Sequence, residues 1–73
     1  MGKLKPLPQG KVIKILTDNG FREVRSGKHI TFKKAVQGGR ILTTWVPHHR
    51  IVTVFVIQYI IKQSEKVREE FEF

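Results

Sequence analysis

The 73-residue chain has no cysteine and sets 14 Lys and Arg against 6 Asp and Glu, a formal net charge of +8. Its length accommodates one domain with one core over residues 1–73. The missing thiols exclude disulfide staples, thiolate catalysis and cysteine-based zinc sites, the usual supports of folds this small.

Met1 to Pro8 is a basic lead-in with Lys3 and Lys5 and no apolar run of the secretory kind, so a flexible segment over residues 1–7 and a cytoplasmic location are expected. Pro8 suits a first helical position, and Val12, Ile13 and Leu16 share one helical face. A helix over about residues 8–19 follows, stopped by Asn19-Gly20. From Phe21 the apolar period shortens toward two. Phe21 to Arg25 predicts a strand, Ser26-Gly27-Lys28 a turn, and His29 to Lys33 a second strand. In that second strand Ile30 and Phe32 share one face, which leaves His29, Thr31 and Lys33 on the other. Gln37-Gly38-Gly39-Arg40 is a hairpin signal, and Ile41 to Val46 is a third strand that Pro47 ends.

The last segment carries two conflicting signals. Ile51 to Ile57 is β-branched enough for a buried strand. Yet Ile57, Ile60, Ile61, Val67 and Phe71 fall on one helical stripe, with Lys62, Glu65, Lys66, Glu69 and Glu70 outside it. The stripe favours a helix from about Thr53 to Glu70. The apolar run Ile51 to Ile61 is too short to cross a bilayer, which takes roughly 20 residues. It exceeds what a small core requires, so part of it is available for a homo-oligomer or a partner. The fold class is therefore α+β, in the order αβββα: a three-stranded antiparallel sheet with two helices on one face and the second face solvated.

The charge is unevenly spread. Residues 1–40 hold ten basic and two acidic residues, whereas residues 41–73 hold four of each. A one-sided excess of this kind attracts polyanions by counterion release. Within it, His29 follows Lys28 and precedes Lys33 and Lys34, with Arg25 on the preceding strand. An imidazole accepts and donates protons near neutral pH, and neighbouring cations hold phosphate. Together they suit cleavage of an RNA backbone, in which a base takes the ribose 2′-hydroxyl proton and an acid protonates the departing 5′-oxygen. The same residues also fit an unreactive histidine in a basic RNA-binding patch. His48 and His49 are adjacent on an extended segment and point to opposite sides, so no chelating pair forms and no metal or cofactor is expected. They read as loop residues able to meet phosphate or to act as a second proton carrier. Ser26-Gly27 and Gly38-Gly39 are too short for a nucleotide-binding loop, and Trp45 is the aromatic best placed to stack on a base.

Gly20-Phe21, Val24-Arg25 and Gly27-Lys28-His29 with Phe32 three residues on, then Trp45-Val46-Pro47-His48-His49 and Ile57 to Gln63, appear in an order and spacing that resembles the HicA family, also called YcfA-like proteins. The likeness extends over about residues 9–71. It implies a double-stranded-RNA-binding-like fold, mRNA cleavage as a toxin with His29 as the catalytic histidine, and neutralisation by a HicB-type antitoxin. Arg25, Lys28, Lys33 and Lys34 would then hold phosphates. Two places depart from the family pattern: Gly27-Lys28 stands where Gly-Ser is usual before the histidine, and Phe55-Val56 where a Gly-Thr helix start is common. The alternative reading is a non-catalytic basic RNA-binding or interaction module of the same fold.

Overall fold

The computed structural model describes residues 3–65 and 68–72. In chain order it forms β1 (Leu7–Pro8), α1 (Gln9–Asp18), β2 (Arg22–Ser26), β3 (His29–Ala35), β4 (Ile41–Pro47), β5 (Ile51–Val52) and α2 (Val54–Ser64). The main sheet is antiparallel in the order β2-β3-β4, and β1 and β5 make a separate two-stranded antiparallel ribbon. This is the αβββα order read from the sequence, with that ribbon added.

Helix α1 begins one residue later than Pro8 suggested, because Pro8 is itself the capping residue (φ −59°, ψ 143°). Val12, Ile15 and Leu16 are its buried residues. At its end the Gly20 amide donates to the Thr17 carbonyl (3.1 Å) and the Phe21 amide to the Leu16 carbonyl (3.0 Å). Gly20 sits at φ +91°. This is a Schellman stop, in which a left-handed glycine lets the chain turn back and satisfy carbonyls the helix leaves open. Phe21 and Leu16, the apolar pair that accompanies such a stop, are both buried.

The three strands align through two tight connections. Gln37–Gly39 forms a short 3-10 turn with Gly38 and Gly39 at φ +81° and +74°, closed by the Val36 amide on the Arg40 carbonyl (3.0 Å). From that closure β3 and β4 pair without a break, from Ala35 opposite Ile41 to His29 opposite Pro47. One alternating set, Ile30 and Phe32 on β3 with Thr44 and Val46 on β4, is buried. Its apolar members Ile30, Phe32 and Val46 join Val12, Ile15 and Leu16 of α1 and Ile57 and Ile60 of α2 in a single cluster, so both helices cover the same face. Buried Thr44 is not an orphan: its hydroxyl donates to Gln63 Oε1 of α2 (2.8 Å), which joins helix and sheet by a polar contact as well as by packing.

Helix α2 starts where Thr53 accepts the Val56 amide on its hydroxyl, an N-cap that separates the β-branched pair Ile51–Val52 from the helix proper. The expected extent to Glu70 is corrected. The helix stops at Ser64, Glu65 takes a left-handed φ of 53°, and Arg68–Phe71 forms a 3-10 turn. Val67, part of the expected stripe, lies outside the described residues. The reason is Phe71, which is fully buried in the core. At 1.5 Å per residue a continuous helix would carry it about 10 Å past Ser64 along the axis, away from that core. The turn instead returns it toward α1, where Asn19 donates a side-chain hydrogen bond to the Glu70 carboxylate.

The basic lead-in contains two anchoring leucines. Leu7 is buried and pairs with Val52, while Leu4 packs against the core and bridges Glu72.

Candidate nucleic-acid interface

With both helices on the Ile30/Phe32 side, the other sheet face is left uncovered by the described residues. His29 and Lys33 are exposed there and Thr31 is half-buried. The register across β3 and β4 sets Thr31 opposite Trp45 and Lys33 opposite Thr43, so these residues share that face.

Strand β2 adds its cations through an irregularity. Arg22 and Arg25 are three residues apart and would face opposite ways on a regular strand. The register shifts between Glu23 and Arg25, which leaves Val24 unpaired and sets Arg22 opposite Lys33 and Arg25 opposite Thr31. A bulge re-aims side chains in this way, and here it turns both arginines onto the uncovered face. Glu23 lies opposite Phe32 and so belongs to the other face. The ion pairs Lys14–Asp18 (3.1 Å) and Arg40–Glu65 (3.7 Å) draw on other cations.

His29 occupies the corner of this surface. Its imidazole stacks on the Trp45 indole, with ring centroids 4.5 Å apart and 29° between the planes. The two residues are diagonal neighbours on adjacent strands, a spacing that aromatic side chains bridge. The turn before His29 is held from the β4–β5 side: His48 Nε2 donates to the Gly27 carbonyl at 2.9 Å. The loop carrying His48 is fixed to α1 in its turn, by Gln9 Nε2 on the Pro47 carbonyl and the Gln9 amide on the Arg50 carbonyl, both 2.9 Å. A helix N-terminus, a loop and a turn therefore support the strand end that presents the imidazole.

Of the residues singled out in the sequence, Arg25, Lys28 and His29 line one recess together with Gly27, Thr31 and Trp45. Lys33 shares their face, opposite Arg22. Lys34 does not join them. Its ammonium lies 5.8 Å from the centroid of the Phe21 ring, on the helix-covered side, and its stem lies over Gly20. Strand alternation separates these two adjacent lysines. His49 is exposed in the loop. Among the described residues no three of His, Asp and Glu come together as a metal-binding group.

Two features of the site were not read from the sequence, the joint presentation of Arg22 with Arg25 and the Trp45–His29 stack. Counting outward from the Val36–Arg40 closure places Trp45 opposite Thr31, so the stack was within reach of a register argument. The bulge has no comparable signal.

A family model for the HicA toxin of bacterial toxin–antitoxin systems matches residues 10–65. The chain belongs to the HicA toxin family. The HicA match runs from the first turn of α1 to Glu65, the residue that caps α2, and so contains the whole uncovered face while leaving out the lead-in and the Arg68–Phe71 turn. No curated protein and no solved structure matches this HicA chain significantly.

Proposed function

We propose that this HicA-family protein is an mRNA interferase, a metal-independent endoribonuclease that cuts single-stranded mRNA in the cytoplasm with His29 as its general acid or base. The observation that carries the reading is the exposed His29 imidazole on an uncovered sheet face beside Arg25 and Lys28, with Lys33 farther along the same face. In the reaction a base removes the proton of a ribose 2′-hydroxyl and the 2′-oxygen attacks the adjacent phosphorus. The P–O5′ bond breaks, and an acid protonates the departing 5′-oxygen. His29 supplies one of these transfers, and the cations hold the phosphate as its charge is redistributed. Neither transfer calls for a metal. The family supplies the partner, a HicB-type antitoxin that binds the toxin and suppresses cleavage.

The test is cleavage of single-stranded RNA by purified protein in excess chelator. Wild type should degrade it, and His29→Ala should lose about 10²- to 10⁴-fold in rate, the usual contribution of a general acid–base group. Equal rates would remove His29 from the chemistry.

A second reading, a binding module without turnover, draws on one observation. The other imidazole tied into this corner, His48, already spends its Nε2 proton on the Gly27 carbonyl. That reading requires RNA binding unaffected by His29→Ala and no growth arrest on induction. Self-association, expected from the length of the apolar run, would use the side chains of it that stay exposed, Ile51, Phe55 and Tyr59. A monomer by light scattering would exclude it.

A further inference from the structure

The uncovered face is not uniformly a charged surface. At its His29 corner it contains a recess of about 260 Å³, walled by Trp45, Thr31, Gly27 and His29 and rimmed by Arg25 and Lys28. Its lining is mainly apolar. Phosphates are held well enough by cations at an open surface, and gain nothing from an apolar hollow. A flat heterocycle does gain from one.

We propose that this recess is a subsite for one unpaired nucleobase, which stacks against Trp45 while Arg25 and Lys28 hold the phosphates on either side. The inference rests on the reading of this face as the RNA surface and adds to it a base-binding subsite, which only a strand whose bases are free to leave the stack can fill. Three observations converge. Trp45 is the chain's only tryptophan, and it stands at a position whose strand neighbour on the same face, Thr43, is small and polar. It is half-buried, so its ring is fixed by the fold yet still accessible. The His29 ring is stacked on part of it, so the two rings together form one wall of the recess and the imidazole stands at its edge. A base seated there would bring its own ribose and 3′-phosphate to His29.

Every base has a π-face, so such a subsite selects for the unpaired state and not for base identity. A duplex keeps its bases inside the stack and shows this face only its backbone. Trp45 therefore has two tasks, as a binding platform for the base and as a positioning residue for the imidazole.

The single tryptophan also provides the readout. The probe is a short, end-labelled 2′-O-methyl oligoribonucleotide, which lacks the attacking hydroxyl and cannot be cut. It is compared with the same strand annealed to its complement and with an abasic strand of equal length. All three should bind by charge, seen in the anisotropy of the label. Only the base-bearing single strand should change Trp45 emission. Trp45→Ala should weaken that strand about tenfold, to the level of the abasic one, and Trp45→Phe should retain most of the affinity. The wild-type emission and the Trp45→Phe measurement decide the matter even if Trp45→Ala folds poorly. Emission changes of equal size with the abasic strand or the duplex would overturn the proposal, as would unchanged emission with the single strand fully bound. If RNA is bound and unmodified RNA is cut while Trp45 emission stays fixed, the base subsite alone fails. If no strand binds, the RNA-face reading fails with it.

Discussion

Neighbouring residues of β3 belong to two different environments. Ile30 and Phe32 point under the helices and are buried with Val12, Leu16, Ile57 and Ile60. His29 and Lys33 point to solvent among cations, with half-buried Thr31 between them. One strand thus carries structure on its even positions and candidate chemistry on its odd ones. Stability and activity should then be separable by substitutions a single residue apart.

The largest effect expected is on the open side. His29→Ala should lower RNA cleavage by about 10²- to 10⁴-fold while stability falls by only about 1 kcal/mol, the loss of its stack on Trp45, since the core on the other face is untouched. Its counterpart on the covered side is Phe32→Ala. That change should cost about 3–5 kcal/mol in urea or thermal unfolding, a large share of the stability of so small a domain. If Phe32→Ala left unfolding unchanged, the helix-covered face would not be the core.

Smaller substitutions sharpen the contrast. Gly20→Ala should destabilise by about 1 kcal/mol, because Gly20 holds φ +91° at the end of α1, a backbone conformation that a residue with a Cβ rarely adopts. RNA binding by the folded fraction should be unchanged. The finest test compares two adjacent lysines. Lys33→Ala should weaken RNA binding and reduce the slope of log K against log salt by about 1. Lys34→Ala should leave that slope nearly intact and cost a few tenths of a kcal/mol in stability through its contact with Phe21. Equal slopes for the two variants would contradict the assignment of faces.

Much of this division was legible in the sequence because it depends on period two. The alternation in His29 to Lys33 fixes which residues face together, and Asn19-Gly20 and Gly38-Gly39 mark turns that need left-handed backbone. What escaped has no local signature. Val24 as a bulge looks like any other β-former, and only the pairing with β3 shows that Arg22 and Arg25 face the same way. The end of α2 was hidden for a similar reason. Phe71 continues the helical stripe in sequence, but tertiary packing requires it beside α1, and that demand overrides the local period. The β1–β5 ribbon is two residues on each side, too short to produce a pattern. At the site, His29, Arg25 and Lys28 were found by charge and residue type, whereas the Trp45 stack depends on the register of a strand sixteen residues away.

The central claim is that RNA lies on the helix-free face of the sheet with His29 at its edge. Amide and imidazole NMR shifts recorded while a non-cleavable 2′-O-methyl single strand is titrated in would map the contact directly. The largest changes should fall on Arg25, Lys28, His29, Thr31, Lys33 and Trp45, with α1 and α2 nearly silent. Changes centred on the helices, with His29 unmoved at saturation, would contradict it.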